Sequence, residues 1–514
     1  MSTARRSTPV YSHTESNPFA DQESNTRLEP NSALRSHSTL ASATPQHQQL
    51  EKLPQSNQSS VRGTPASSSR SSTEYNESNF GDLEKSLPIE TIPSLRLQIL
   101  ESLSRNHHGE QQDRNYKAQC VELKSSSSSM MDLGETTKSC PKLPIRERLA
   151  HFTWAWYTLT MSTGGLALLI RSQPYKFAGL DQIGLAVFIL NIVLFVLVTS
   201  AQVTRFVLFP GTLTRSLTHP REGFFFPTFL LSVATLITCT QRYCVPEDPE
   251  TARATAGLLL GAVRAFFWIY LVLSTAVAIG QYSYVFSAHS FGLQTMMPTW
   301  ILPIFPVMLS GTIASVIAGT QPPEASVPIV IAGLTCQGLG IAVAFMMYAH
   351  MVGRLMQSGL PNREHRTGLF MCVGPPAFTA LAFIGLATSL PENFDHDRDG
   401  FVDALVIETM GLVGAGFLWA LSLWWFSIAV LAVIQSPPKH FHLAWWAAVF
   451  PNTGFILATI SVGSAYHNEG ILWFSTAASV MLLLTYLFIL YHHVRAVIVQ
   501  DIMYPGRDED VEDH

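Results

Sequence analysis

Two pairs of histidines stand close together near the end of the chain. His440 and His442 flank Phe441, and His492 adjoins His493. Clustered imidazoles suggest a membrane di-iron oxygenase, but such a centre draws on several HxxHH boxes. Two isolated pairs fall short of that ligand count, so they read as interfacial histidines. Asp395, Asp397 and Asp399 occupy the first, third and fifth positions of a calcium-loop pattern, with Gly400 at the sixth and Asp403 at the ninth. The twelfth position, which should carry a bidentate Glu, is Val406. The segment therefore reads as an acidic loop. The six cysteines have no zinc-type spacing. Cys239 and Cys244 sit close enough for a disulfide if their membrane edge is extracellular, but they read as free thiols. There is no Walker A loop, no GxSxG and no HExxH. An enzyme and an ATP-driven pump are both disfavoured, and neither a cofactor nor a metal is expected.

Two charges lie inside apolar runs. Arg264 falls roughly 15 Å into one run and Glu408 roughly 11 Å into another, at 1.5 Å per helical residue. Charges at such depth are costly and usually paired or functional. Their opposite sign and similar depth make them a candidate pair, as a structural bridge or a subunit contact.

The elements that hold these residues follow from composition. The 514 residues are 47% hydrophobic and only 13% charged, against about 25% charged in a soluble globular protein. The net charge of −5 gives nucleic-acid binding no electrostatic support. A membrane span needs about 20 apolar residues. Ten such runs are expected, near 152–171, 182–209, 222–241, 254–288, 299–319, 326–356, 366–389, 401–434, 442–465 and 469–499.

The even runs are long, unbroken and aliphatic. The odd runs carry Pro, Gly, Ser and Thr in mid-span, as at Phe226-Pro227, Phe305-Pro306, Gly374-Pro375-Pro376 and Phe450-Pro451. A proline frees a backbone carbonyl, which survives at membrane depth only inside protein or against a water-filled cavity. The odd helices should therefore be inside and the even helices outside. The odd runs recur about every 70 residues, as in a repeated hairpin. The expected fold is an all-α polytopic membrane protein: ten helices as five hairpins, with kinked odd helices around a central pore.

The pore candidates are Ser162, Thr163, Gly164 and Gly165 on the first helix, Thr228 and Ser232 on the third, and Ser310 and Thr312 on the fifth. The seventh adds Pro375, Pro376 and Thr379, and the ninth adds Pro451, Asn452, Thr453 and Ser461. Hydroxyls and helix-end N–H groups hold an anion without neutralising it, and such weak binding permits release. The competing role for the same groups is glue between helices. The absence of carboxylates on these helices disfavours a cation channel. If transport is coupled to protons, the carriers are Glu408, His289, His350 or a protonated substrate.

Lys and Arg are richer on the side that takes Arg146, Arg148, Arg205, Arg363 and Arg495 than on the side of Arg171, Lys176 and Arg242, which puts both termini in the cytoplasm. Residues 1–140 are rich in Ser, Gln, Asn and Pro, include a serine run at 125–129, and read as a disordered cytoplasmic tail. The apolar island 87–103 is at most a transient helix. Residues 145–500 form the helical domain, and 501–514 an acidic cytoplasmic tail. The first ten residues lack an apolar core, so the first span must direct insertion.

The run from His151 to Gly165, HFTWAWYTLTMSTGG, resembles the first helix of fungal malic acid (four-carbon dicarboxylate) transporters. These belong to the tellurite-resistance/dicarboxylate group, together with plant slow anion channels and fungal sulfite efflux pumps. Val373 to Leu381, VGPPAFTAL, resembles that group's seventh helix, and Trp445-Trp446 with Phe450-Pro451 its ninth. The resemblance spans about 145–500. It implies a five-hairpin fold around a pore, a homotrimer, and a pore-occluding phenylalanine at Phe450. A ring next to Pro451 suits a gate that dewets the pore; the alternative is ordinary packing against a neighbouring helix. The Met-Ser-Thr-Gly-Gly and Gly-Pro-Pro-Ala-Phe-Thr forms favour malate or succinate carriage across the plasma membrane over sulfite efflux. A passive, gated anion channel is a further alternative.

Overall fold

A computed structural model describes residues 143–504 of this chain, except 392, 396, 398, 401 and 402. The tail expected at 1–140, its island at 87–103 and the acidic end from 505 lie outside the described residues. The described chain is helical, with no strand among the described residues.

Nine helices are long and apolar enough to cross a membrane among the described residues. They are α2 (Leu180–Leu208), α3 (Glu222–Cys244), α4 (Gly257–Ala288), α5 (Pro298–Thr320), α6 (Pro323–Ser358), α7 (Arg363–Ala387), α8 (Ala404–Gln435), α9 (Leu443–Ala465) and α10 (Glu469–Val499). The tenth expected span is α1 (Tyr157–Arg171), entered through the turn Trp154–Trp156. It is shorter and carries Thr158, Thr160, Ser162, Thr163, Gly164 and Gly165, which lower its apolarity. Polarity is tolerated there because the chain is buried without interruption from 152 to 167.

Burial alternates along the chain as the proline pattern demands. The even helices bury 17–39% of their most apolar stretch, whereas α3, α5, α7 and α9 bury 72–94%. The exposed residues of the even helices are large and apolar, among them Leu197, Ile269, Met346, Phe417 and Leu484. That surface suits hydrocarbon rather than water. Inside, α1 packs on α3, α3 on α5, α5 on α7, α7 on α9, and α9 back on α1. The inner helices thus close a five-membered ring, with each outer helix laid against it.

The inner helices are built alike. Each begins as a 3₁₀ segment and turns α partway: Glu222–Phe225 leads into Pro227–Cys244, Pro298–Ile304 into Phe305–Ile317, Arg363–Val373 into Gly374–Ala387, and Leu443–Ala448 into Phe450–Ala465. The prolines Pro227, Pro306, Pro375, Pro376 and Pro451 fall in the first turn of the α half. There the missing N–H costs nothing and the fixed φ suits a helix start. So these prolines mark a change of helix type rather than a bend in one helix. Only α1 makes the transition without proline, at Tyr157. One outer helix departs from the expected pattern: α6 carries Pro328 as its sixth residue.

At the face where the described chain begins and ends, arginines serve the outer helices' unpaired carbonyls. Arg148 donates to Val497 O at 2.7 Å, and Arg366 to Ala432 O at 2.9 Å. Each meets a C-terminal turn, whose carbonyls lack helical partners and whose dipole favours a cation. Arg205 at the end of α2 pairs with Glu222 at the start of α3, at 2.6 Å and 3.3 Å, and also donates to Phe152 O at 2.6 Å. Both side chains of this pair are buried. The Gln500 amide joins the two ends of the domain: Leu143 N donates to its Oε1 at 3.0 Å, and its Nε2 donates to Leu143 O at 3.3 Å.

Candidate functional site

All five inner helices contribute to one cavity of about 720 Å³. Its mouth lies where they end, at Arg171, Arg242 and Ala465, and its depths hold Phe378 and Phe450. Fifteen residues separate Phe450 from Ala465 on α9, which is about 22 Å along a helix axis. Beyond Phe450 lies a void of about 10 Å³, lined by Thr158, Met161, Thr228, Phe305 and Pro451. That is about the smallest space that holds one water. Phe450 touches both spaces.

Phe450 is held on two sides. Its ring stacks on that of Phe378, with centroids 5.1 Å apart and planes at 29°. Opposite, Gly165 has no side chain; a Cβ there would stand 3.3 Å from both the Phe450 ring and the Thr453 side chain. Phe378 in turn meets Phe305 edge-on at 6.2 Å. It lies over Gly454, where a Cβ would approach its ring to 2.7 Å. The α7 and α9 segments therefore approach each other only because α9 is bare at that point.

The predicted polar residues divide by their surroundings. Gly165, Thr312, Phe450, Thr453 and Ser461 line the large cavity, and Thr228 and Pro451 the small void. Others face helix contacts. Thr163 Oγ1 bonds Tyr486 Oη at 2.9 Å, Ser162 Oγ donates to Trp446 O at 3.5 Å, and Ser232 bonds Thr160 at 2.6 Å. Ser310 lies 3.5 Å from Ser274, and Thr379 accepts from Gln337 Nε2 at 2.7 Å while donating to Pro375 O at 2.7 Å. Gly164 abuts Thr235 and Asn191 of α2. Asn452 Nδ2 donates to Ala448 O at 2.8 Å, and neither it nor Pro375 and Pro376 lines the cavity.

The hydroxyls on the cavity wall are not equivalent. Thr235 donates to Ser232 O at 2.8 Å, Thr238 to Ala234 O at 2.9 Å, and Thr453 to Val449 O at 3.1 Å. Their protons are committed to backbone and their lone pairs face outward. Thr312 Oγ1 is buried and has no partner among the described residues. A χ1 rotation would turn this covered, uncommitted O–H toward the cavity that the residue lines, where it could donate to an anion.

Basic side chains line the mouth, although in the sequence they read only as orientation signals. Arg171 is engaged by Asp181 at 2.7 Å and Glu247 at 2.9 Å, and Lys176 by Asp181 at 3.2 Å. Arg242 also lines the cavity. The helical signal available was spacing: Thr235, Thr238 and Arg242 fall on one face of α3 at intervals of three and four.

Arg264 and Glu408 are not partners in this chain; no ion pair joins them among the described residues. Arg264 is half-buried on α4, which packs on α3 and α5, whereas Glu408 is on α8, which packs on α7 and α9. Similar depth does not imply proximity when the helices lie on different arcs of the ring. Glu408 instead reaches the cavity wall. His493 is not interfacial. It is buried, accepts from Trp446 Nε1 at 3.1 Å and packs on Trp156 at 4.7 Å. Cys239 and Cys244 are free thiols. Asp395, Asp397 and Asp403 bring carboxylates within 4.8 Å of one another. In that loop Gly400 N donates to Asp395 and Asp399 N to Asp397, at 3.1 Å and 3.2 Å.

Residues 151–494 match a family described as voltage-dependent anion channel (SLAC1). The "malic acid transport protein" of Schizosaccharomyces pombe is 36% identical over 377 residues, covering 72% of this chain and 84% of that protein. A "putative malic acid transport protein" of the same organism is 30% identical, covering 72% of this chain and 86% of that protein. A "sulfite efflux pump" of Trichophyton rubrum is 26% identical, covering 67% and 90% respectively.

Proposed function

The chain belongs to the voltage-dependent anion channel (SLAC1) family, and from that premise we propose that it carries malate and related four-carbon dicarboxylates through the ring of inner helices. It is a multi-pass membrane transport protein for small anions, not an enzyme. The observation that carries the finer reading is the cavity: a largely apolar wall carrying hydroxyls, basic side chains at the mouth, and Phe450 closing its depths. Among the described residues two acids line the cavity, Glu247, which Arg171 holds, and Glu408. Identity is higher to the malic acid proteins than to the sulfite pump, which supports the same choice.

In this reading Phe450 is the gate, with Phe378 and Phe305 as its supports, and Thr312 serves the passing anion. A malate monoanion brings its own proton, so symport requires no buried carboxylate. Localisation to the plasma membrane, both termini in the cytoplasm and assembly as a homotrimer complete the reading. The Leu143–Gln500 bonds support one face for both ends of the domain.

Proteoliposomes given malate, succinate or sulfite, with and without a pH gradient, test it. Saturable, gradient-driven malate flux with little current is expected. Large ohmic current would instead make the chain a gated channel, and flux of sulfite alone a sulfite exporter.

A further inference from the structure

Among the described residues Arg242 is the basic residue of the cavity mouth whose guanidinium has no direct partner, although the nearby Glu247, bonded to Arg171, still acts on its charge. It sits in the last turn of α3. Its two basic neighbours on the wall are held by carboxylates: Arg171 by Asp181 and Glu247, and Lys176 by Asp181. Arg171 also donates its Nε to Arg242 O at 3.2 Å, which fixes the backbone of the turn. The Arg242 guanidinium itself forms no hydrogen bond or ion pair among the described residues. Long basic side chains at a span's end commonly extend toward lipid headgroups. Arg242 instead lines the cavity, on the same face of α3 as Thr235 and Thr238.

We propose that Arg242 is the entry ligand for the carboxylate end of a dicarboxylate anion, and that it sets the preference for dianions over monovalent anions. The inference rests on the transport reading above. A planar guanidinium offers two parallel N–H donors that match one carboxylate. The neighbouring residue fixes the depth of this ligand. Gln241 Nε2 donates to Thr320 Oγ1 at 2.9 Å, so this level of α3 is level with Thr320 on α5. Thr312 lies eight residues further in on α5, about 12 Å deeper. A four-carbon diacid is too short to span that distance, so Thr312 is the next donor it meets after leaving Arg242. Capture at the mouth also avoids the cost of a cation in the pore's narrow part, where tight binding would prevent release.

The test uses the full chain in proteoliposomes, with initial rates of malate uptake measured against concentration at low and high salt. Arg242→Gln should raise the apparent KM for malate about tenfold or more, the loss expected for a charge-assisted contact. It should leave the maximal rate within about twofold, and it should affect the monovalent anion chloride much less. Arg242→Lys should recover part of the affinity. High salt should narrow the gap between parent and variant, because it screens the same charge. Arg253→Gln removes an equal charge from a residue outside the cavity and serves as the control; it should leave KM unchanged. An unchanged KM in a folded, monodisperse Arg242→Gln would overturn the inference while leaving malate transport intact. An equal loss in Arg253→Gln would also overturn it, by reducing the effect to general surface charge. If the parent moves sulfite and not malate, the malate reading falls first, and a sulfite KM raised by Arg242→Gln would still establish the anion ligand. No flux of any anion in the parent would remove both.

Discussion

The Phe450 ring lies against that of Phe378, 5.1 Å between centroids, at the point where Phe450 borders both the 720 Å³ cavity and the 10 Å³ void. An offset aromatic pair of this kind contributes about 0.5–1.5 kcal/mol beyond its buried area. Replacing Phe450 removes this contact and the ring that closes the cavity's depths together. Phe450→Ala should therefore raise anion flux several-fold or more and reduce discrimination among anions, with the protein still folded. Phe378→Ala should do the same more weakly, since it removes the support and leaves the plug. Currents recorded from the two variants beside the parent provide the check. Lower stability with no gain in current would mean that Phe450 only packs.

Thr312→Val and Thr379→Val replace similar hydroxyls with opposite expected results. Thr312 has an uncommitted O–H on the cavity wall. Losing a hydrogen bond to a charged ligand costs about 1.5–3 kcal/mol, so its KM for malate should rise about tenfold or more with little change in melting temperature. Thr379 accepts from Gln337 inside a helix contact. Its loss strands that buried amide at a cost of about 1–3 kcal/mol, so stability should fall while KM holds.

Glu222→Gln should be among the most destabilising single changes in the domain. It leaves the Arg205 guanidinium buried without its counter-charge, which typically costs about 3–5 kcal/mol. The paired replacement Arg205→Met with Glu222→Leu should cost less than Glu222→Gln alone. Thermal unfolding in detergent of the three proteins decides this.

Arg264→Met and Glu408→Gln should act independently. They are not bonded to each other in the chain, and distant sites usually add within about 0.3–0.5 kcal/mol. A double variant clearly more stable than the sum would show that the two meet across a subunit boundary.

His442 lies just outside α9, where burial pushes its imidazole below the usual histidine range against the opposing pull of Glu364. The unfolded chain therefore binds this proton more readily than the folded one. Stability should be level above about pH 6.5, the ordinary histidine value, and fall as the pH drops below it. His442→Gln should flatten that decline, read as melting temperature between pH 8 and 5 against the parent.

Much of the architecture is legible before any coordinates. Prolines on alternate apolar runs separate inner from outer helices, because an unpaired carbonyl cannot face lipid. The change from 3₁₀ to α at those prolines is not legible, since a proline at the first turn of a helix and one within it look alike in sequence. The facing of individual hydroxyls is also hidden. A helix buried on every side, as α1 is from 157 to 167, has no polar face to indicate which of Ser162, Thr163 or Gly165 meets the cavity. Arg242 is hidden for the opposite reason. At the end of an apolar run, a basic residue is read for topology, and only the packed ring shows that it lines a cavity. Phe378 is one of thirty phenylalanines; the bare Gly454 beneath it was its signal.

The contact of α9 with α1, and the Gln500 amide that holds Leu143 from both sides, leave the ring without a seam. The first hairpin differs from the others in its short, proline-free α1, but its place in the ring is equivalent to theirs. Joining residue 143 to residue 500 and cutting between α2 and α3 would produce a circular permutant with every helix in its original direction. The cuts after α4, α6 and α8 are equivalent, since all four junctions lie on the face of the present ends. The order of hairpins along the polypeptide is then a record of how the chain is synthesised and inserted, while the closed barrel of helices is indifferent to it.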